Sequence, residues 1–270
     1  MLKIFTLHWN KKDTIKELYL SFMPSLSGLE WEWWIKDNGS TDGSIDEIKS
    51  WDNPNIKLIE YGNNKLNYSQ GMNYLFDESK PLDDDLILTL NNDIVFNDDS
   101  SIKNMISLIK ADKKIGVVGA KLNYKNSNKI QHCGVLFHHY NWLPFHYRSK
   151  QEELPRDKVN RYYPAVTGAV SLITTEAFRE ARFNDKLIWC FDDIDFCFRV
   201  KYLLGKDIVY CGETHISHEE SASLKNNPIN KMFIHHNANS FLQAWKKYID
   251  IDCTLEYQDP NYNLYRSPNE

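Results

Sequence analysis

Residues Cys190 to Arg199, Cys-Phe-Asp-Asp-Ile-Asp-Phe-Cys-Phe-Arg, set three carboxylates among apolar and aromatic side chains and then supply a guanidinium. An ionised carboxylate is costly to bury without a partner, so Asp192, Asp193 and Asp195 need a cation, a proton or a reacting group to justify them. Asn91-Asn92-Asp93 is a second acidic step and closes the apolar run Leu86 to Leu90. A third, Asp37-Asn38-Gly39-Ser40-Thr41-Asp42-Gly43, also follows a hydrophobic segment. Downstream, Thr214 to Ser221 carries His215 and His218 ahead of Glu219 and Glu220. Carboxylates and imidazoles at turns that end apolar segments suit proton transfer and the binding of divalent cations.

The elements that must position these turns follow from periodicity. Lys3 to His8, Trp31 to Lys36, Ile56 to Glu60, Leu86 to Leu90 and Ile115 to Ala120 are predicted strands. Helices are predicted over Thr14 to Met23 with Asp13 as N-cap, Ser44 to Trp51, Asn67 to Phe76 and Ser101 to Lys110. This alternation implies an α/β fold, a mainly parallel sheet with helices on both faces. Ligands of such sheets sit beyond the carboxyl ends of the strands, the edge where Asp37 and Asp93 fall. The second half is less regular: a strand over Lys129 to Phe137, a polar loop from Asn141 to Asn160, and an apolar run, Val166 to Ile173, broken at Gly168. A helix then begins at Thr174 with a cap. Asp192 to Leu204 is a predicted helix whose first turn carries the acidic cluster, where the helix dipole favours negative charge. Asp207 to Cys211 is the last predicted strand, and Lys231 to Tyr248 the terminal amphipathic helix.

The 270 residues suffice for one substantial core, and 42% hydrophobic with 26% charged residues is the composition of a soluble globular protein. A net charge of -5 with a pI near 6.0 argues against broad nucleic-acid binding. Cys133, Cys190, Cys197, Cys211 and Cys253 are scattered with no CxxC pair, which favours reduced thiols and a cytoplasmic setting. The N-terminal apolar stretch is too short for a signal peptide, and no run approaches the roughly 18 apolar residues of a membrane span. With no repeat and no clear linker, a single domain over 1–248 is expected, in halves of about 1–120 and 121–248. A polar tail, 249–270, follows.

In this order and on this pattern, the motifs resemble those of family 2 glycosyltransferases, the inverting GT-A enzymes that use nucleotide-sugar donors. They are Asp37 to Ser44, Gln70-Gly71-Met72-Asn73, Asn91-Asn92-Asp93, Ile130-Gln131-His132-Cys133-Gly134, Val166-Thr167-Gly168-Ala169, Asp192-Asp193-Ile194-Asp195 and a downstream histidine. The resemblance runs to about residue 240 and is nearest to the rhamnosyltransferase-like enzymes of bacterial surface polysaccharides. It implies a GT-A (Rossmann-like) fold whose first half binds the nucleotide and whose second half receives the acceptor. Asp37 would accept hydrogen bonds from the base or ribose, in a pocket shared with Thr6, His8, Asn38, Gln70 and Asn92. Asn-Gly and Thr-Asp-Gly are equally ordinary turn formers, and Gln70 could simply start a helix.

Asn91-Asn92-Asp93 stands where the family has Asp-x-Asp or Asn-x-Asp, which implies that Asp93 holds Mn2+ or Mg2+ against the diphosphate. His218 would be a further ligand, with His215 its rival, and imidazole favours Mn2+. In the family's Glu-Asp-x-Asp pattern the first position is Asp192 here, and Asp193 becomes the general base toward an acceptor hydroxyl. Asp192, Asp195, Gly168 and Trp189 would support the acceptor, and Asp195 is within i,i+4 reach of Arg199. Ala181-Arg182-Phe183-Asn184-Asp185 departs from the usual Gly-Gly-Phe-Asp-Glu. The expected partners are a nucleotide-sugar and a glycan or other hydroxyl acceptor. Two other readings stay in view. A sugar-phosphate nucleotidyltransferase would want glycines where Asn10-Lys11-Lys12-Asp13 has none, and a non-catalytic glycan- or nucleotide-binding module would not need the acidic triplet.

Overall fold

The computed structural model describes residues 1–138, 140–219 and 228–249, with side chains for all of these except 228–231. Strand β1 (Leu2–His8) is buried at every residue but Leu7. It is followed by α1 (Lys12–Phe22), β2 (Trp31–Asp37), α2 (Ser44–Ser50), β3 (Ile56–Ile59), α3 (Tyr68–Ser79) and β4 (Leu86–Leu90). These strands pair in parallel, β4-β1-β2-β3. Then come β5 (Ile94–Phe96), α4 (Ser101–Ala111), β6 (Ile115–Tyr124), β7 (Ile130–His132), β8 (Val135–Phe137), β9 (Pro144–His146), β10 (Arg161–Tyr162) and β11 (Val170–Thr174). The chain closes with α5 (Thr175–Ala181), α6 (Asp192–Phe198), β12 (Asp207–His218) and α7 (Pro228–Trp245). The main path of the ten-stranded sheet reads β10-β12-β6-β11-β4-β1-β2-β3, with β5 added on β12 and β7 on β6. The second half mixes directions: β12 is parallel to β6, whereas β11 runs antiparallel to both β4 and β6.

Alternation along the strands sends neighbours to opposite faces. Ile4 and Leu88 join a core with Ile15 and Phe22 of α1, Ile48 of α2 and Met105 of α4. Phe5 and Ile87 join another with Met72 of α3, Phe178 of α5, Phe196 of α6 and Phe241 of α7. Helices therefore cover both faces, as the alternating pattern requires.

Several local expectations are corrected. Asp13 does not cap α1; the helix opens two residues earlier than expected, at Lys12 after Lys11 in the left-handed region (φ 63, ψ 56), and Asp13 lies inside the first turn. The stretch 129–137 is two short strands, β7 and β8, broken at Gly134 (φ 100), where the Tyr163 ring comes within 2.6 Å of the place a Cβ would occupy. The helix over 192–204 is α-helical only to Phe198 and continues as a π-helical turn, Arg199–Leu203. Strand β12 extends past Cys211 to His218, so both histidines lie on a strand and not in a loop. The C-terminal helix begins at Pro228 instead of Lys231. Of the expected tail only Ile249 lies within the described residues. Cys133, Cys190, Cys197 and Cys211 are free thiols. No helix among the described residues is long and apolar enough to cross a membrane.

Candidate active site

The parallel register of β1 and β2 ends with His8 beside Asp37. Asp37 turns its carboxylate onto its own loop, accepting from Gly39 N–H (3.2 Å) and Ser40 N–H (3.0 Å). The amide of Asn38 is likewise engaged, exchanging two hydrogen bonds with the backbone of Leu66. Buried His8 accepts from Asn92 Nδ2 at Nδ1 (3.1 Å), which leaves Nε2–H to donate to Ser44 Oγ (2.8 Å). Its pKa is lowered to about 4, by burial first, against the opposing pull of Asp37 and Asp42. A neutral His8 thus ties Asn92 to the first acidic turn. Thr6 stands deeper, with its hydroxyl donating to Leu90 O (2.8 Å) and accepting from Trp33 Nε1 (3.0 Å), and so joins strands below the rim. Gln70 and Asn67 form a capping box at the start of α3.

The second acidic turn meets the end of β12. Antiparallel pairing of β5 and β12 sets His218 opposite Ile94, next to Asp93. Buried Asp93 Oδ1 lies 3.0 Å from His218 Nε2, and Oδ2 lies 3.0 Å from Lys11 Nζ. Gln131 Oε1, an acceptor, is 2.7 Å from His218 Nδ1, so Nδ1 carries the proton and Nε2 is the nitrogen turned toward the carboxylate. This is the arrangement by which an outer partner aims an imidazole at a cation. Adjacent ligands of an octahedral ion, each about 2.1 Å from it, stand about 3.0 Å apart, which matches the His218–Asp93 pair. No three His, Cys, Asp or Glu side chains among the described residues converge on one point, so phosphate and water would fill the remaining positions. His215, three residues earlier, does not reach Asp93 but borders a cavity of about 840 Å³ with Asn123, Glu153 and Ser217. That cavity is lined by neither Asp93 nor Asp193.

The third cluster opens α6. Phe191 precedes it in the left-handed region (φ 69), as does Trp189 (φ 78), which is 53% exposed. Such conformations cost on the order of 1–3 kcal/mol each and must be held by their surroundings. The holder is buried Asn237 of α7, whose amide donates to Ile188 O (2.7 Å) and Cys190 O (3.0 Å). Asp195 is fully occupied, by Arg199 Nε at 2.6 Å and Trp245 Nε1 at 2.6 Å, and clamps α6 to α7. Asp193 accepts from Gly168 N–H (3.0 Å) and from Ile194 N–H (2.9 Å). Gly168 is fixed in turn by Tyr68 Oη and Thr89 Oγ1, which donate to its carbonyl at 2.8 and 3.1 Å. Asp192 is buried beside Asp193, and its pKa is raised to about 7, by burial first and then by the charge of Asp193. Among the three carboxylates, Asp193 is neither clamped nor buried.

Some participants carried no sequence signal strong enough to single them out. Trp9, 51% exposed, follows β1 directly and has Lys65 Nζ 4.9 Å from its ring centroid. Lys11, with its backbone in the left-handed region, places its ammonium 3.0 Å from Asp93 Oδ2. Gln131 and His132 lay inside a quoted motif without an assigned task. Buried His132 accepts from Thr167 N–H at 3.3 Å and so steadies the Gly168 segment.

Three solved structures with the same fold are distant in sequence. GalNAc-T7, crystallised with UDP, GalNAc and Mn2+, superposes with a TM-score of 0.67 at 14% identity over 97% of this chain. The chain spans 52% of that protein, about half its length. TarS residues 1–349 from S. aureus, with UDP-GlcNAc, gives 0.63 at 15% identity, covering 97% of this chain and 72% of that one. The mannosyltransferase PcManGT from Pyrobaculum calidifontis, with GDP-Man and Mn2+, gives 0.58 at 13% identity, covering 92% and 71%. At such identities the likeness is one of fold, the GT-A fold. No curated protein matches the chain significantly in sequence. The profile of Glycosyl transferase family 2, however, matches residues 4–180, some two thirds of the chain. The chain belongs to glycosyl transferase family 2.

Proposed function

We propose that this enzyme moves a sugar from a nucleotide-sugar to an acceptor hydroxyl with inversion, using a divalent cation held by Asp93 and His218 and Asp193 as general base. The observation that carries the reading is the division of labour among the acidic turns. Asp93 and His218 stand 3.0 Å apart, the spacing of adjacent ligands on one octahedral ion, whereas Asp193 is oriented by two backbone N–H groups. Structural neighbours crystallised with UDP, UDP-GlcNAc or GDP-Man, two of them with Mn2+, support a nucleotide-sugar donor. When bound, the cation would neutralise the charge that grows on the departing diphosphate. The turn after β2 and exposed Trp9 would take the nucleotide, the indole offering a stacking face for the base. Asp193 would receive the hydroxyl proton as that oxygen attacks the anomeric carbon from the side opposite the diphosphate. Asp192 and Trp189 would shape the acceptor side, on a helix that Asp195 fastens to α7. Residues 1–248 form the catalytic unit in this reading, with the nucleotide in the half of about 1–120. A rhamnosyltransferase-like role in surface-polysaccharide assembly and a cytoplasmic setting rest on the motifs and the free thiols.

The test is a donor-hydrolysis and binding screen over nucleotide-sugars with Mn2+ and with Mg2+, on wild type and Asp93→Ala. Binding and slow hydrolysis of at least one donor are expected, with cation-dependent binding weakened at least tenfold in Asp93→Ala. A protein that binds and hydrolyses no donor with either metal contradicts the proposal.

Gly168 supplies a finer check. A Cβ there would lie 3.1 Å from Tyr68 Oη and 3.2 Å from Asp193 Cβ, too close for both to keep their places. Gly168→Ala should fold normally yet lose roughly tenfold in kcat, because small displacements of a positioned base are expensive. Unchanged kcat in a transfer assay would detach Gly168 from the alignment of Asp193.

A further inference from the structure

We propose that Lys11 is a resident counter-cation of the donor site: its ammonium neutralises Asp93 in the donor-free protein and moves to the donor's diphosphate on binding. This rests on the reading of Asp93 and His218 as cation ligands. Lys11 Nζ lies 3.0 Å from Oδ2 of Asp93 while His218 Nε2 lies 3.0 Å from Oδ1, so each carboxylate oxygen has a nitrogen against it and Lys11 supplies the balancing charge. A divalent cation on that carboxylate would stand within a few Å of the ammonium, a strong like-charge repulsion in a buried setting. Entry of the cation therefore requires the ammonium to leave. The Lys11 side chain, 37% exposed against 4% for Asp93, is the partner with freedom to do so. A diphosphate arriving with the cation offers the ammonium a better-charged acceptor.

The backbone ties this exchange to the nucleotide turn. Asn10 and Lys11 are consecutive non-glycine residues in the left-handed region, φ 55 and 63. Their segment is laced to the loop after β2 on both sides. Asn10 N–H donates to Ser40 Oγ (2.8 Å), Thr41 N–H donates to Asn10 Oδ1 (2.9 Å), and Lys12 N–H donates to Asp42 Oδ2 (2.8 Å). The turn proposed to receive the nucleotide thus also fixes the residues that aim Lys11. The consequence is synergy: the cation alone competes with Lys11, whereas cation and nucleoside diphosphate together relieve that competition.

Mn2+ binding to donor-free protein, read by calorimetry or electron paramagnetic resonance, tests the idea on wild type, Lys11→Met, Lys11→Arg and Asp93→Ala. Lys11→Met should bind Mn2+ about tenfold or more tightly than wild type, yet bind UDP or GDP about tenfold more weakly at saturating Mn2+. Lys11→Arg, which keeps the charge, should stay near wild type in Mn2+ affinity. A purely structural role for Lys11 would weaken both ligands together. Equal or weaker Mn2+ binding by Lys11→Met, with binding lost in Asp93→Ala, overturns the proposal while leaving the cation site standing. Mn2+ binding unaltered in Asp93→Ala removes the cation site itself, and this inference with it. A wild type that binds Mn2+ as tightly without UDP or GDP as with them overturns it too.

Discussion

Asp193→Asn is expected to lower kcat for sugar transfer by about a thousandfold, the middle of the range for a lost general base, and to leave nucleotide binding at saturating Mn2+ within about twofold. The asymmetry follows from the site. Asp193 receives Gly168 N–H on one oxygen and Ile194 N–H on the other, so its plane is fixed and a second lone pair on each oxygen remains for a substrate hydroxyl. An amide keeps the shape but cannot take a proton, and its NH2 must oppose one of those donors. Asp192 does not replace it at neutral pH. Of two adjacent carboxylates the buried one bears a proton more cheaply, and burial, then the charge of Asp193, raises the pKa of Asp192. A fall in kcat smaller than tenfold, measured with acceptor saturating, would remove Asp193 from the proton transfer. A comparable loss of nucleotide affinity would move it to the donor side.

The strand-helix order, both covered faces and the acidic turns at one sheet edge were legible in the sequence because they rest on local periodicity and on turns that end apolar runs. What was not legible depends on pairing at long range. His218 meets Asp93 through antiparallel pairing between β5 and β12, over 125 residues of separation, and β12 reads as a strand only to Cys211 because Ile216 is the one apolar side chain from Gly212 to His218. Lys11 was hidden for another reason, since no propensity predicts two successive left-handed non-glycine residues; the loop after β2 imposes them. Asp195 had a visible partner, Arg199, four residues on. Its second partner, Trp245, is 50 residues away and turns Asp195 from an acceptor-facing candidate into a clamp for the C-terminal helix. The departure at 181–185 has a structural use: Asn73 of α3 donates to Phe183 O and Asp185 Oδ1, anchoring the segment ahead of the acceptor loop.

Asp192→Asn is expected to make the protein more stable at pH 8 by up to about 4 kcal/mol and to leave it little changed near pH 4. The folded pKa of Asp192, raised to about 7 by burial and then by Asp193, exceeds its ordinary value of 3.8. Between those values the folded state binds more protons than the unfolded chain, so this residue's contribution to stability declines as pH rises. It is whole below about pH 4, falls steadily from there, and is exhausted once pH passes about 7. An asparagine mimics the protonated acid at every pH and should flatten that slope. Urea unfolding of wild type and Asp192→Asn at pH 4.5, 6 and 8 measures it directly, and parallel pH dependences would show that Asp192 is not held protonated by the fold. A carboxylate that weakens the protein in the neutral range has no structural justification of its own, since Asp195 already fastens this helix. The cost is explained if Asp192 serves the acceptor side of the site, where it stands beside Asp193. Asp192→Asn should then transfer sugar more slowly even as it gains stability.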